Sequence, residues 1–313
     1  MTRHDTMNQN DEKALSALDN RVRRILPARY QECYDEVRPV SMGTAGLKYG
    51  ADGKVAWDEI WGSFCDLAMA GGPPHKGTLL EACSPAEADA GRDLHRQVVN
   101  EICRGIAMAA ELAANPSNVA GWVSVECFTE SMAEWLVRAI VMENVSAFLD
   151  SYVVELPAGP HFRIEKEIKN VVTVAAKTSH YWLEHMERVQ HLEIGNLFLE
   201  MAVDCPLIQP ALVGHGFDPD DDRVLKQKMA QKLRQEIGLQ TSDHQYAGWL
   251  GVECRGIGAA IWMMRALVAS NIQSRREGTV LFLPVNPMRD PSGNLVFQSF
   301  EQIHRFAVER GVI

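Results

Sequence analysis

One stretch occurs twice in this chain. Ala120, Gly121, Trp122, Val125, Glu126 and Cys127 return at Ala247, Gly248, Trp249, Val252, Glu253 and Cys254, an offset of 248 minus 121, or 127. The match continues through Trp135, Arg138, Ala139, Val141 and Asn144, which return as Trp262, Arg265, Ala266, Val268 and Asn271. Between 120–144 and 247–271, 12 of 25 positions are identical, which chance does not produce. We read an internal duplication. Whatever one copy builds, the chain must accommodate it twice.

Each copy reads as helix-helix-strand-helix-strand-helix. In the first, residues 57–70 and 86–114 have helical character. Gly and Pro pairs stop the first of these, and Asn115 and Pro116 stop the second. Residues 121–126 read as a strand and 129–150 as a long helix with Thr129 as its N-cap. A strand over 152–157 and a helix over 164–178 complete the copy. The second copy follows the same order: a helix over 192–203, a second from Asp218, a strand over 248–253, a helix to about 276, a strand over 279–285 and a helix over 297–310.

A strand, a long helix and another strand predict a right-handed crossover between parallel strands. Two strands cannot shelter their own apolar faces, so the copies are expected to pool them. The fold class expected is α/β, internally duplicated and pseudo-twofold, its units sharing a small sheet. Residues 1–36 form an N-terminal helical arm with a disordered start over 1–12. Residues 37–178 are the first repeat, preceded by an extra hairpin turning at Asp52 and Gly53, and 179–313 are the second repeat.

Composition narrows the partners. Lys and Arg number 31 against 41 Asp and Glu, a formal charge of −10, and no long basic run occurs. Nucleic acid and anionic membrane both need a clustered positive face, so neither is expected. No apolar run approaches the roughly 20 residues that span a bilayer. The seven cysteines are scattered without a CxxC, which fits reduced thiols in a cytoplasmic protein. A homo-oligomer stays open.

The chemistry-bearing candidates begin with the repeated Glu-Cys corners, Glu126 with Cys127 and Glu253 with Cys254. A Cys entering a helix N-terminus meets unpaired N–H groups that favour thiolate, and a carboxylate beside it can serve as base or ligand anchor. Side chains alternate along a strand, however. Cys127 therefore falls on the Val123 and Val125 face, opposite Glu126, and a core role competes with the catalytic one. Arg138 and Arg265 lie too far along their helices to reach the local Cys, which favours structural ion pairs. The recurring Trp residues read as core anchors.

The 71–77 loop is the best anion candidate. Gly71, Gly72 and Gly77 let backbone N–H groups approach a ligand, while His75 and Lys76 add donors; a helix-ending turn is the competing reading. It matches no P-loop, and the chain carries no nicotinamide or flavin fingerprint, so the cofactor is unknown. His180, Glu184, Glu187 and His191 share one stripe if 180–191 is a single helix. They are weak candidates for a metal, with a solvated polar face as the alternative. Asp218, Asp220, Asp221 and Asp222 lack the Gly and Glu of a calcium loop and suit a helix start.

Three functions fit. The first is a non-redox enzyme, a lyase, isomerase or hydrolase, acting on a small polar or anionic metabolite between the repeats. The second is a non-enzymatic binding or assembly protein. The third is a metal-binding protein using the 180–191 stripe.

Overall fold

The computed structural model describes residues 9–34, 46–60 and 66–313. The N-terminal half begins with α1 (Gln9–Ile25) and α2 (Ala28–Gln31), followed by α3 (Pro85–Ala90) and α4 (Arg92–Ala109). Strands β1 (Ala113–Pro116) and β2 (Trp122–Glu126) form a hairpin. The chain then crosses through α5 (Glu130–Met142) to β3 (Phe148–Asp150) and β4 (Val153–Pro157), and ends this half in α6 (Lys169–His185). The C-terminal half has α7 (Arg188–Asp204), α8 (Pro219–Lys232), β5 (Thr241–Tyr246), β6 (Trp249–Glu253), α9 (Ile257–Val268), β7 (Arg275–Glu277), β8 (Val280–Pro284) and α10 (Asn294–Glu309). No described helix is long and apolar enough to cross a membrane.

The molecule mixes helix and sheet, as expected of the class, but its strands are arranged differently. They form two separate four-stranded sheets, β1-β2-β4-β3 and β5-β6-β8-β7, not one shared sheet. Every strand pairing within these two sheets is antiparallel, so the two central strands of each half run antiparallel and not as the expected parallel crossover. The reason is four further strands, β1, β3, β5 and β7. β3 carries the chain across before a turn at Ser151 (φ 57°) sends it back as β4, which inserts beside β2. β7 and β8 do the same in the other half. With β1 and β5 added at the far side, neither half needs to borrow strands.

Other boundaries shift for local reasons. Residues 9–12 belong to α1, while 1–8 lie outside the described residues. The expected 86–114 helix breaks at Gly91 and stops at Ala109, and Ala113–Pro116 is extended. Over 57–70 only two single turns form, Trp57–Glu59 and Ala68–Ala70, with 61–65 outside the described residues. Part of the expected N-terminal hairpin, 40–45, is also outside them. Its turn is present, since Tyr49 bridges Val55 around Gly53. Thr129 caps α5 by accepting from Met132 N, and Asp218 caps α8 by accepting from Asp220 N and Asp221 N.

The helices after the repeated strands lie at the centre. α5 and α9 are apolar nearly all round and buried along most of their length, as a helix without a polar face must be. Trp122, Trp135, Trp249 and Trp262 are all buried. One hydrophobic cluster draws on both halves.

Polar side chains tie the halves together. Asn144 follows α5 and Asn271 follows α9, both left-handed at φ 62° and 59°. Arg138 donates to Asn271 Oδ1 at 2.6 Å, and Asn271 donates to Cys205 O. Reciprocally, Arg275 donates to Asn144 Oδ1 at 3.1 Å, and Asn144 donates to Lys76 O and Arg276 O. Asn tolerates positive φ better than most residues, so one residue type both turns the chain after a helix and joins the halves.

Candidate functional site

The Glu-Cys corners do not lie at helix starts. α5 begins at Glu130, three residues beyond Cys127, and Cys127 N still donates to Tyr152 O at the end of the sheet. Cys127 packs in the core with Val123 and Val125, while Glu126 points to solvent. Glu253 is also exposed, and Cys254 N donates to Thr279 O. Burial pushes both thiols up to about 12, with Glu253 adding to the effect at Cys254. That is the opposite of an activated thiolate. Iodoacetamide at pH 8.5 is therefore expected to modify Cys127 and Cys254 in the native protein at least about a hundredfold more slowly than in the unfolded chain, because only thiolate reacts. Equal rates, followed by peptide mass spectrometry, would contradict this.

The 71–77 loop does surround an anion, but the anion belongs to the protein. Glu143 is fully buried, and its carboxylate accepts Ala68 N at 2.9 Å and His75 N at 2.8 Å. Lys177, also buried, completes the arrangement at 2.8 Å from Glu143 Oε1 and donates to Asp66 O at 3.2 Å. Gly71 supplies the left-handed turn (φ 95°), and Gly72 O accepts from Arg276 of the other half. Lys76 N donates to Glu143 O. A Cβ at Gly77 would meet nothing within 4 Å. Beside the loop, Tyr30 donates to Asp66 at 2.5 Å and shares a 2.9 Å hydrogen bond with Tyr181. Burial lowers the His75 pKa, against the opposing pull of Glu143. Sequence reasoning found the loop and missed the side chain that fills it, because Glu143 lies on a distant helix end.

The His/Glu stripe is divided, because α6 ends at His185 and α7 starts at Arg188. His180 pairs with Glu184 at 2.9 Å on α6. Glu187 is the N-cap position of α7. His191 instead stacks on Trp182 with centroids 4.2 Å apart, and its Nε2 lies 2.7 Å from Trp182 O. A nitrogen bonded to a carbonyl must carry the proton, so it is not offered to a metal. Among the described residues, no three His, Cys, Asp or Glu side chains are grouped to hold a metal ion. Asp222 pairs with Lys226 at 2.6 Å and accepts Gly248 N at 3.2 Å.

A cleft of about 720 Å³ opens right after Cys127, between the start of α5, the end of α6 and α7. Phe128, Leu183, Leu192 and Leu199 are exposed in its walls. Phe198 lies beneath, with the buried Arg138 guanidinium 4.0 Å above its ring. Glu134 pairs with Arg138 at 3.5 Å; burial raises its pKa and Arg138 opposes the rise. None of the four corner residues lines this cleft or the two smaller ones described. In the matching stretch 247–271, Arg255 and Ile261 stand where 120–144 has Phe128 and Glu134, so the cleft does not recur there in sequence. A helix with apolar residues on two faces was the available signal. α7 has Ile194, Leu197, Phe198 and Met201 buried on one side and Leu192, Leu199 and Val203 exposed on the other.

Comparison with protein-family models, curated proteins and solved structures finds no match.

Proposed function

We propose that the chain is a non-enzymatic binding or assembly protein: an internally duplicated scaffold whose working surface is the apolar cleft between α5, α6 and α7. The observation that carries this reading is an open cleft with Phe128 at 68% exposure, Leu192 at 63% and Leu199 at 69% along its walls. Soluble proteins rarely leave contiguous apolar surface open without a use for it. Several buried polar groups are committed to holding the fold. Glu143 and Lys177 hold the 71–77 loop, and Arg138, Asn144, Asn271 and Arg275 hold the halves together. These observations favour binding over a lyase, isomerase or hydrolase working through Glu126, Cys127, Glu253 and Cys254. The unbridged thiols of Cys83, Cys103, Cys127, Cys205 and Cys254 fit a reducing, cytoplasmic setting.

Support for the duplication comes from matched detail. Both sheets have the same strand order, and Gly121 and Gly248 precede β2 and β6 with positive φ. Helices α5 and α9 are both followed, within three residues, by a left-handed Asn.

Titration with Nile red, a neutral apolar fluorophore, tests the reading. At sub-micromolar protein, saturable binding with blue-shifted emission is expected. It should be lost in Leu192→Asp and Phe128→Ser, both at exposed positions, while the melting curve stays in place. A cooperatively folded protein that takes up no dye would overturn the proposal.

A further inference from the structure

The occupant of the exposed α7 face can be inferred from its spacing and charge. We propose that it is a second copy of this chain, with the two α7 helices packed in parallel along Val189, Leu192, Asn196, Leu199 and Val203. The proposal rests on the binding reading above and names the partner.

These five residues are spaced three, four, three and four apart. At 100° per residue they fall within an arc of about 80°, and the buried Ile194, Leu197, Phe198 and Met201 lie on the opposite side. The buried face packs on α5 and α1. The other face leaves Val189 at 64% exposure, Leu192 at 63%, Leu199 at 69% and Val203 at 86%, with Asn196 exposed among them. A solvated helix face is ordinarily polar; this one is a heptad seam.

Its composition specifies the partner. With Val189 as position a, the seam has Val, Asn and Val at a and Leu192 and Leu199 at d. β-branched residues at a with Leu at d favour two parallel strands, and a single Asn at a fixes their register by pairing with its own copy. The flanks agree. In a parallel pair, Arg188 of one copy faces Glu193 of the other, and the twofold axis supplies that attraction twice. An antiparallel pair would instead bring Glu193 against Glu200, also twice. Gly195 and Ala202, at the remaining g positions, keep the seam clear for close approach. The seam lies within a single helix of 17 residues and is short. The contact belongs at the weak end of stable interfaces, with a dissociation constant on the order of micromolar.

Sedimentation equilibrium of the full chain, from about 0.1 to 200 µM, tests this. The apparent mass is expected to rise with concentration from 34.9 kDa toward twice that value. Leu199→Asp should weaken association more than about a hundredfold, since a carboxylate enters the apolar seam. Arg188→Glu should weaken it roughly tenfold, and Arg188→Glu with Glu193→Arg should restore it to within about threefold. Melting curves of the variants, unchanged from the parent, establish that they fold.

A mass of 34.9 kDa at every concentration would overturn self-pairing. So would a Leu199→Asp chain that associates as well as the parent, and a double charge swap as weak as the single one would overturn the parallel arrangement. The two readings fail separately. A monomer that still binds Nile red sinks the dimer and leaves the cleft as a site for some other ligand. A monomer that takes up no dye sinks both.

Discussion

Lys177→Met is expected to cost about 3–5 kcal/mol of stability, the range for removing one partner of a buried ion pair. Both side chains are shut off from solvent, with Lys177 at 1% exposure and Glu143 at 0%. Once the ammonium is gone, the Glu143 carboxylate keeps the hydrogen bonds from Ala68 N and His75 N but loses its direct ion pair. Chains of this kind are stable by only about 5–15 kcal/mol, so the loss is a large fraction. A second substitution separates charge from packing. Glu143→Gln removes the carboxylate's charge and retains an amide oxygen that can accept one of the loop N–H groups. Lys177→Met with Glu143→Gln should therefore be more stable than Lys177→Met alone, by about 1 kcal/mol or more. The checking measurement is urea unfolding of the parent, both singles and the double, read as midpoint shifts at constant slope. A Lys177→Met midpoint equal to the parent's would show that the pair contributes nothing. Hydrogen exchange supplies a local readout, because protection at Ala68 and His75 should fall first.

This pair also marks how far the sequence could be read. Glycines, His75 and Lys76 identified a loop able to surround an anion. Nothing in the linear order placed Glu143 inside it, because that contact depends on how α5 and α6 pack. The central strands β2, β4, β6 and β8 were legible from their apolar content and bounding turns. Their outer neighbours were not. Ala113–Pro116 contains two good helix formers and a proline, and Arg275–Glu277 consists of charged residues. The charges of β7 are tolerated because Arg275 meets Glu277 at 2.7 Å and the Phe282 ring at 3.8 Å, contacts that exist only after folding. Missing those short strands reversed the inferred direction of the sheet and merged two sheets into one.

The functional reading turned on a similar limit. Alternation correctly placed Cys127 on the Val face. Whether the corner opened into a pocket depended on where the next helix began, and Thr129 as N-cap puts that start beyond the thiol. The apolar cleft one residue farther on is built by α7, from another part of the chain. Its exposed seam was present in the sequence. Distinguishing it from the core face of the same helix required knowing which side met α5.

Gly121→Ala and Gly248→Ala are each expected to destabilise the fold by about 2–5 kcal/mol, combining left-handed backbone strain with overpacking. Gly121 has φ 91° and Gly248 φ 70°, and an added Cβ would lie 2.4 Å from Cys83 O and 2.3 Å from Ala211 O, respectively. Both obstacles are backbone, so no side-chain rotation relieves them. The crowding has a structural source. Gly121 O accepts from Ala158 N, and Ala158 O accepts from Cys83 N; Gly248 O accepts from Val285 N, and Val285 O accepts from Ala211 N. In each half the glycine, the end of a central strand and a preceding extended segment are held in one hydrogen-bonded row. A methyl group must push that segment away and break the row. Gly238→Ala is the control, since its φ is 79° but its Cβ would meet nothing within 4 Å. That variant should lose only the backbone term, about 1 kcal/mol. Thermal and urea melts of all three variants decide the matter. If Gly121→Ala and Gly248→Ala lose no more than Gly238→Ala, the row is not tight, and the repeated Gly-Trp start is needed for its turn alone.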